Sequence, residues 1–379
     1  MEFTIDQVQL VRGLQRTQSI VERRSTMPIL ANVLLSAEGT RVEFAATDLE
    51  VGVRTAVPAE QVARPGRLTV NAKKLYEIAR ELPAGTVRIA SKDNQYTELT
   101  AGKVVVNLAG LSPDEFPALP SRGDLPFAPL DLPTVRLMIE RTLYAASSDE
   151  TRYNLNGVYL ERIETDGAAA ARMVATDGHR LALVDRALAG GLEGLARGVI
   201  LPRKGLAEVK RLLDEAAGEP EGPDAGFKVA FRENSGLFLV GETLLVMRLI
   251  EGAFPDYRQV IPRASEGGAR ADREALSRAL RRVSIVSAEK SRSVKLALKP
   301  GLLEVSTTNP DLGEAREELE VEYDGRPLTI GFNARYLLDF LGATGGDTVV
   351  LDLQDETSPG LFRCVGEEGY LGVVMPMRI

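Results

Sequence analysis

Apolar and polar residues follow two different periods along the chain. An alternation with a period of two predicts β-hairpins with glycine at or near the turn, and it occupies 29–46, 155–175 and 294–307. Before each hairpin, apolar residues recur at three- and four-residue spacing, which predicts a helix with one buried face. A second helical stretch follows each hairpin. The six predicted helices cover residues 4–24, 71–81, 131–152, 202–215, 271–292 and 333–341.

One short motif occurs once in each hairpin. Its three forms are AATDLE at 45–50, VATDGH at 174–179 and STTNPD at 306–311. The starts of the second helices keep a spacing of 131 residues, at Asn71, Pro202 and Asn333. Matches in register at both features predict that a unit of about 125 residues is present three times. We therefore predict an α+β fold of three repeated units, each with two helices packed on antiparallel sheets, as domains 1–124, 125–262 and 263–379.

Charge is distributed unevenly between the predicted helices and the rest of the chain. The 379 residues include 46 Lys and Arg against 54 Asp and Glu, a net charge of −8 that by itself argues against a nucleic-acid partner. The predicted helices, however, contain 21 basic and 15 acidic residues, so they carry +6 and the remainder −14. On the first helix, Arg12, Arg16 and Arg23 share one face. A basic helix face can serve solubility alone, but its repetition over five of the six helices favours a surface that holds duplex DNA by its phosphates.

The residues typical of catalysis are few and scattered. A single cysteine, Cys364, and a single histidine, His179, exclude an intrachain disulfide and a structural zinc site. The sequence contains neither a phosphate-binding loop nor a nucleophile elbow. Asp48, Asp177 and Asp311 recur with the repeat, so we predict that they cap turns rather than converge on a metal. We therefore expect no enzyme activity, no cofactor and no metal.

The two ends of the chain differ in character. The start, MEFTIDQVQL, lacks a basic and apolar leader, and no apolar run approaches the length of a membrane span. We therefore predict a cytoplasmic protein without a membrane partner. The last segment, from Tyr370 to Ile379, is apolar, although chain ends are normally polar. Met375, Pro376 and Met377 extend beyond a terminal strand and favour a groove for partner proteins.

The repeat and four sequence segments together resemble one family. The segments are TDGHRLAL at 176–183, LPRKG at 201–205, FPDYRQVIP at 254–262 and VVMPMRI at 373–379. In this combination the chain closely resembles, from its first residue to its last, the bacterial β sliding clamps, the processivity subunits of replicative DNA polymerases. The resemblance implies a head-to-tail dimer whose six units close into a ring, the DNA clamp fold. It also implies a function: the ring encircles duplex DNA and tethers the polymerase.

The same resemblance implies the partners. Double-stranded DNA would be bound without sequence specificity, and a second copy of the chain would complete the ring as a homodimer. The replicative polymerase, the clamp loader and repair polymerases would bind through short clamp-binding peptides.

Three sets of site residues are implied by the resemblance. The expected DNA contacts are Arg12, Arg16, Arg24, Lys73, Arg80, Arg152, Tyr153, Arg203, Lys204 and Arg211. The expected pocket for partner peptides comprises Leu155, Thr176, Gly178, His179, Arg180, Leu181, Pro255, Val260, Asn333, Tyr336, Val373, Met375, Pro376, Met377 and Arg378. The expected dimer interface comprises Lys74, Lys103, Val106, Leu108, Ile285, Val286, Asp311, Glu314 and Glu317.

Four positions depart from the family pattern. Asp149, on the loop that touches DNA in relatives, places a carboxylate where it would oppose a phosphate. Asn154 stands where an aromatic residue is frequent, Gln259 where arginine is frequent, and Ile379 in place of a terminal leucine. The last three are expected to alter peptide preference or inhibitor sensitivity without abolishing binding.

Three alternatives remain open from the sequence. A nuclease would need converging carboxylates, and a carbohydrate- or protein-binding scaffold would not need basic helices in register. A duplicate clamp that confers resistance to a clamp-binding antibiotic would share every feature of a replicative clamp.

Overall fold

The computed structural model describes residues 1–21, 27–120, 122–123, 125–149, 151–165, 167–188, 192, 195, 197–218, 226–263, 267–289 and 291–378. Arg23, Arg24 and Ile379 lie outside these described residues. Within them the chain forms six α-helices: α1 Gln7–Thr17, α2 Ala72–Glu81, α3 Leu132–Thr142, α4 Arg203–Ala217, α5 Arg273–Ser284 and α6 Ala334–Ala343. None of these described helices has the length and apolar character needed to cross a membrane.

The same described residues form 25 strands. The first nine are β1 Glu2–Asp6, β2 Asn32–Glu38, β3 Arg41–Thr47, β4 Val51–Pro58, β5 Gln61–Arg64, β6 Gly66–Asn71, β7 Thr86–Ser91, β8 Tyr96–Ala101 and β9 Val104–Ala109. The next eight are β10 Ala128–Leu130, β11 Gly157–Thr165, β12 Ala168–Thr176, β13 Arg180–Ala187, β14 Val199–Pro202, β15 Phe227–Arg232, β16 Ser235–Val240 and β17 Thr243–Arg248. The last eight are β18 Ala269–Asp272, β19 Ser293–Lys299, β20 Leu302–Asn309, β21 Gly313–Glu320, β22 Leu328–Asn333, β23 Thr348–Asp352, β24 Gly360–Cys364 and β25 Tyr370–Val374.

Three of the six helices, α1, α3 and α5, are shorter than predicted by at least ten residues. The side chain of Asp6 accepts a hydrogen bond from Val8 N at 2.9 Å and starts α1, and Asp272 accepts one from Ala275 N at 2.7 Å and starts α5. The residues before both caps pair as strands β1 and β18, so the predicted starts of these helices are wrong. α3 ends at Thr142 and a 3₁₀ turn follows, so the third prediction is also too long. Apolar spacing alone does not reveal these ends, because polar caps define them.

The chain divides into two compact units, of which the first contains Met1–Leu132, Gly190–Gly194 and Lys204–Leu249. It has a five-stranded sheet in the order β5-β1-β7-β8-β9 and an eight-stranded sheet in the order β10-β15-β16-β17-β4-β3-β2-β6. All their strand pairs are antiparallel. Phe3 and Phe44 are fully buried in its core, beside the apolar faces of α1 and α2.

The second unit contains Pro133–Ala189, Leu195–Arg203 and Ile250–Ile379. Its sheets have the orders β14-β11-β12-β13-β25-β24-β23-β18 and β21-β20-β19-β22. The ring of Phe340 on α6 stacks on Tyr370 of β25, with centroids 5.3 Å apart. Each eight-stranded sheet combines strands from successive repeats, so the unit borders do not follow the repeat. The domain borders at 124/125 and 262/263 stay a prediction.

The repeated motif forms a hairpin turn in every repeat. Asp48 Oδ1 accepts hydrogen bonds from the backbone amides two and three residues later, at 2.9 and 2.6 Å. Asp177 Oδ1 makes the same two bonds at 2.9 and 3.1 Å, so both aspartates cap turns as predicted. In the third repeat it is Asn309 Oδ1 that accepts, from the amide of Asp311 at 3.0 Å, and the prediction for Asp311 is wrong. Asp311 lies within the loop between Asn309 and Gly313, where its amide is the donor.

The strand after the motif continues into a neighbouring repeat at two equivalent junctions. β4 pairs with β17 in the first unit, and β13 pairs with β25 in the second. The amide of Arg248 donates to the carbonyl of Glu50 at 2.8 Å, and the amide of Met375 donates to that of His179 at 2.8 Å. The third strand of this kind, β21, lies at a sheet edge, and so does β9 at the end of the first repeat.

Candidate nucleic-acid interface and partner groove

The observed helices concentrate positive charge more strongly than the predicted ones. They contain 16 Lys and Arg but only 8 Asp and Glu, so they carry +8 in a chain whose total charge is −8. Seven acidic residues that the longer predictions included lie in strands, turns and loops or outside the described residues. A polyanion would therefore be attracted to the helices and repelled by the remainder.

Helices α1 and α4 of the first unit share a network of charged side chains. Arg16 Nε is 2.7 Å from Glu215 Oε1, and the Arg16 side chain is only 13% exposed. Arg211 donates to Glu208 Oε2 at 2.8 Å and to the carbonyl oxygen of Arg16 at 3.0 Å. Ser19 donates to the same Glu208 carboxylate at 2.9 Å. Two predicted DNA contacts, Arg16 and Arg211, are thus brought together and already face carboxylates.

The other predicted DNA contacts on helices have varied surroundings. Lys204, at the start of α4, forms an ion pair with Asp48 of the first hairpin turn. Arg80 lies 5.7 Å above the ring of Tyr76 on α2. Arg203 is exposed, and Lys73 and Arg12 are half-buried. Arg24 lies outside the described residues.

The loop before β11 holds the remaining predicted DNA contacts. Tyr153 is 56% exposed there. Arg152 donates to the carbonyl oxygen of Asp177 at 2.9 Å, so it supports the turn that carries the partner-pocket residues. Asp149 accepts hydrogen bonds from the hydroxyl and amide of Thr151, which lower the pKa of its carboxyl. Its negative charge is therefore stabilised where a phosphate contact is expected from relatives.

The predicted peptide-pocket residues all belong to the second unit, and β13 and β25 bring many of them together. Leu181 pairs with Val373, and both side chains are buried in one apolar cluster with Tyr257. Leu155 is also buried, whereas Val260 and Met375 are exposed. Leu181 and Val373 therefore belong to one buried apolar surface, and the positions of Leu155, Val260 and Met375 beside it stay a prediction. We call the set Leu155, Leu181, Val260, Val373 and Met375 the partner groove.

The chain end beside the partner groove is held by backbone hydrogen bonds. The amide of Met377 donates to the carbonyl of Gly331 at 2.8 Å, two residues after the Met375–His179 bond. Pro376 lies between them, and Arg378 is exposed. The segment is therefore fixed on two elements rather than free.

Arg180 connects the partner groove with helix α6. Its Nη2 donates to the carbonyl of Tyr144 at 2.6 Å, and its Nε lies 3.1 Å from Asp177 Oδ2. A further ion pair joins Arg180 to Asp339. The guanidinium also lies 4.6 Å from the ring centroid of Tyr336. With a side chain that is only 9% exposed, Arg180 is a structural centre of this region.

Helix α6 also positions the ring of Tyr336 against the ring of His179. Asn333 caps the helix by accepting from Arg335 N at 2.9 Å. Tyr336 stacks on His179, with ring centroids 6.4 Å apart and an interplanar angle of 12°. Burial raises the pKa of the Tyr336 hydroxyl above its ordinary value. A polar cavity of about 510 Å³ opens beside His179, Arg180 and Tyr336.

Of three further predicted pocket residues, Thr176 and Gly178 shape the backbone of the turn and Pro255 lies at the surface. Thr176 Oγ1 accepts from Gly178 N at 3.1 Å and donates to the carbonyl of Arg180 at 2.6 Å. Gly178 has φ +88°, a conformation that favours glycine. Pro255 is exposed. Asn154, a departure from the family pattern, donates to the carbonyl of Ala253 at 3.0 Å and thereby holds the adjoining loop.

Sequence reasoning missed several charged and aromatic residues that contact the predicted site residues Arg180 and Arg16. Asp339 lies three residues after Tyr336, which places both on one face of α6, and that spacing was the available signal. Tyr144 and Glu215 gave no such signal. They are distant in sequence from Arg180 and Arg16, which they contact.

Most of the predicted dimer residues lie on the edge strands β9 and β21, in the turns that precede them or just after α5, and Lys74 lies on α2. Val106 and Leu108 on β9 are half-buried against the core of the first unit. Ile285, just after α5, is 77% exposed. Glu317 on β21 accepts hydrogen bonds from Arg282 at 2.5 and 2.9 Å, and these lower the pKa of its carboxyl.

The other charged members of the dimer set are exposed. Lys74 pairs with Glu77 one turn along α2, at 2.7 Å. Lys103, Asp311 and Glu314 are exposed, and Val286 is half-buried. Their pairing across two chains stays a prediction.

Comparison with known proteins identifies relatives over the full length. Family models of the DNA polymerase III β subunit match its N-terminal domain at 1–120, its central domain at 130–256 and its C-terminal domain at 258–378. The β sliding clamp of Caulobacter vibrioides is 41% identical over 381 residues, with both chains fully covered. A crystal structure of the Caulobacter crescentus β sliding clamp matches with a TM-score of 0.92, 41% identity and full coverage of both chains. The Bartonella birtlesii sliding clamp bound to griselimycin matches with a TM-score of 0.93, 36% identity and full coverage of both chains.

Proposed function

The chain belongs to the family of DNA polymerase III β subunits, the bacterial β sliding clamps, and we propose that its helices hold duplex DNA while its partner groove holds replication proteins. Its function is that of a DNA sliding clamp that gives the polymerase processivity. Sliding clamps are processivity factors, and we propose that this chain likewise catalyses no reaction. We further propose a cytoplasmic location.

DNA contact is proposed to rest on the charge of the helices. The excess of +8 on six helices attracts phosphate without selecting a base sequence, since phosphates carry no sequence information. The acidic remainder disfavours binding anywhere else. The proposed contacts are those implied by the family resemblance, among which Arg80, Arg152, Tyr153 and Arg203 are exposed and the Arg16 side chain is only 13% exposed.

Ring closure is proposed to use the two free strand edges. In two repeats, the strand after the turn of the repeated motif pairs with the last strand of another repeat, as β4 does with β17 and β13 with β25. The corresponding edges β21 and β9 lack such a partner among the described strands. A second copy of the chain, placed head to tail, supplies both missing pairs. Val105 on β9 is 57% exposed, which suits an edge that is covered in a dimer.

The partner groove is proposed to bind short peptides of the polymerase, the clamp loader and repair polymerases. Apolar anchors of such a peptide would fill the space above Leu181 and Val373, with Met375 adapting to their shape. Arg180 is fully engaged within the protein, so we assign it the positioning of His179 and Tyr336 rather than a direct contact. These two rings form a fixed wall at one end of the groove.

The alternatives from the sequence have no further support. Within the described residues, no group of three or more His, Cys, Asp or Glu side chains is arranged to hold a metal ion. The matching relatives are sliding clamps, and none of these findings favours a duplicate clamp.

The full-length match to sliding clamps carries this proposal, and primer extension tests it. With the polymerase and clamp loader of the same organism, adding the protein should lengthen the products made in one binding event. A variant with residues 375–379 replaced by alanine should fail to do so. Products of unchanged length with the intact protein would contradict the proposed role.

A further inference from the structure

The surface of α1 and α4 contains its own competitor for phosphate. Glu215 Oε1 lies 2.7 Å from Arg16 Nε, and Glu215 Oε2 lies 3.7 Å from Arg211 Nη1. One carboxylate on α4 therefore faces two arginines that are assigned to DNA. A phosphate that approaches either guanidinium must replace or share this carboxylate.

The position of Glu215 is set by charge rather than by a full set of hydrogen bonds. Its Oε2 atom is buried and accepts no hydrogen bond from the described residues. The side chain of Glu215 is 23% exposed, so it is partly withdrawn from water beside Arg16. A carboxylate with an unsatisfied oxygen is a costly arrangement, and the two neighbouring cations offset that cost.

We propose that Glu215 weakens the hold of the α1–α4 surface on duplex DNA, by neutralising Arg16 and by adding a second carboxylate to the pair of Arg211 with Glu208, so that the clamp can move along DNA. This inference rests on the proposed DNA role of the helices. Each phosphate that a protein neutralises releases counterions and steepens the dependence of affinity on salt. Glu215 reduces the number of phosphates neutralised and keeps each contact easily broken.

The alternative role of Glu215 is to join α1 to α4 as an ordinary ion pair. The two roles differ in what they change. A joining role affects the thermal midpoint of unfolding and leaves DNA affinity unchanged or lower. A neutralising role raises DNA affinity when the carboxylate is removed.

The test compares Glu215→Gln with the intact protein on a short fluorescent duplex, by anisotropy between 50 and 200 mM salt. We expect binding about 5–10-fold tighter at 0.1 M salt for one restored phosphate contact, because log affinity falls by about 0.9 per unit of log salt for each such contact. The matched control is Glu242→Gln, which removes the same charge from the same unit. Glu242 lies in the turn between β16 and β17 and pairs with Arg41 of β3 at 2.6 Å, so its replacement should leave affinity nearly unchanged.

Two further variants distinguish a failure of the proposed DNA role from a failure of the inference about Glu215. Arg211→Gln should weaken binding, and the double variant Arg16→Gln/Glu215→Gln should lose most of the gain of the single variant. If Arg211→Gln has no effect, the DNA role assigned to this surface is wrong. If Arg211→Gln weakens binding but Glu215→Gln binds no tighter than Glu242→Gln, with an unchanged salt dependence, the inference about Glu215 is overturned.

Discussion

The backbone amide of Met375 donates a hydrogen bond to the carbonyl oxygen of His179 at 2.8 Å. This bond ties the end of the chain to the turn of the repeated motif. Arg248 and Glu50 form the corresponding bond in the first unit, so the contact belongs to the repeat itself. In the second unit it joins the backbone of Met375, whose side chain is exposed, to that of His179, whose ring stacks on Tyr336.

Partner binding should depend on the apolar side chains of the chain end. Replacing residues 375–379 by alanine should weaken a clamp-binding peptide by at least about tenfold, as expected when an interface anchor is lost. Peptide titration by fluorescence anisotropy measures this. Val365→Ala is the control, since Val365 is an exposed apolar residue outside the partner groove. Equal affinities of the multiple variant and the control would show that the groove is misplaced.

Arg180 should contribute to the stability of the second unit. Arg180→Met leaves Asp177 and Asp339 facing each other without their shared cation, and we expect a loss of about 3 kcal/mol in the free energy of unfolding. Urea denaturation measures it. Arg335→Met is the control, because Arg335 is exposed and 3.9 Å from the same Asp339, and its loss should be below about 1 kcal/mol. Similar losses in both variants would contradict the central position of Arg180.

The dimer should depend on the exposed edge of β9 and the end of α5. Val106→Asp combined with Ile285→Asp puts four buried charges into the two proposed seams of one ring, so monomers are expected in light scattering. Val260→Asp is the matched control, because it charges the partner groove instead and should keep the dimer while losing the peptide. A dimer that persists in the double variant would refute the proposed seam.

Glu317 should titrate below its ordinary value. The hydrogen bonds from Arg282 lower the pKa of its carboxyl from the usual 4.5. The ionised form of Glu317 is favoured in the folded state. The ion pair with Arg282 therefore stabilises the fold above pH 4.5, and this stabilisation is lost as the pH falls through the lowered pKa of Glu317. An NMR titration should give a midpoint below 4.5 for Glu317 and a return toward 4.5 in Arg282→Gln. The same midpoint in both proteins would exclude Arg282 as the cause.

Several features of the fold follow from sequence patterns, and others depend on distant contacts. The repeat and the turn caps Asp48 and Asp177 were predictable, because local hydrogen bonds depend only on neighbouring residues. In the third repeat the motif itself places Asn309, and not Asp311, in register with these two aspartates, and Asn309 forms the cap. The pair of Arg16 and Glu215 was invisible, because 199 residues separate its members.

The prediction that the helices are basic is confirmed by the observed helices, and their contact with DNA stays a prediction. The total of −8 conceals helices with +8, and dividing the chain into elements reveals them even when the helix ends are misplaced. The division into elements does not show which of these basic side chains are paired with carboxylates. Lys204, Arg16 and Arg211 all face carboxylates, which only the packed structure brings near them.

Retention on circular DNA tests the sliding-clamp function most directly. The protein is loaded on a nicked circle by its clamp loader, separated from free protein by gel filtration, and followed before and after the circle is cut once. A closed ring should stay on the circle and leave soon after linearisation, because it is held by topology and not by tight contacts. Equal retention on circular and linear DNA would contradict the function as a sliding clamp.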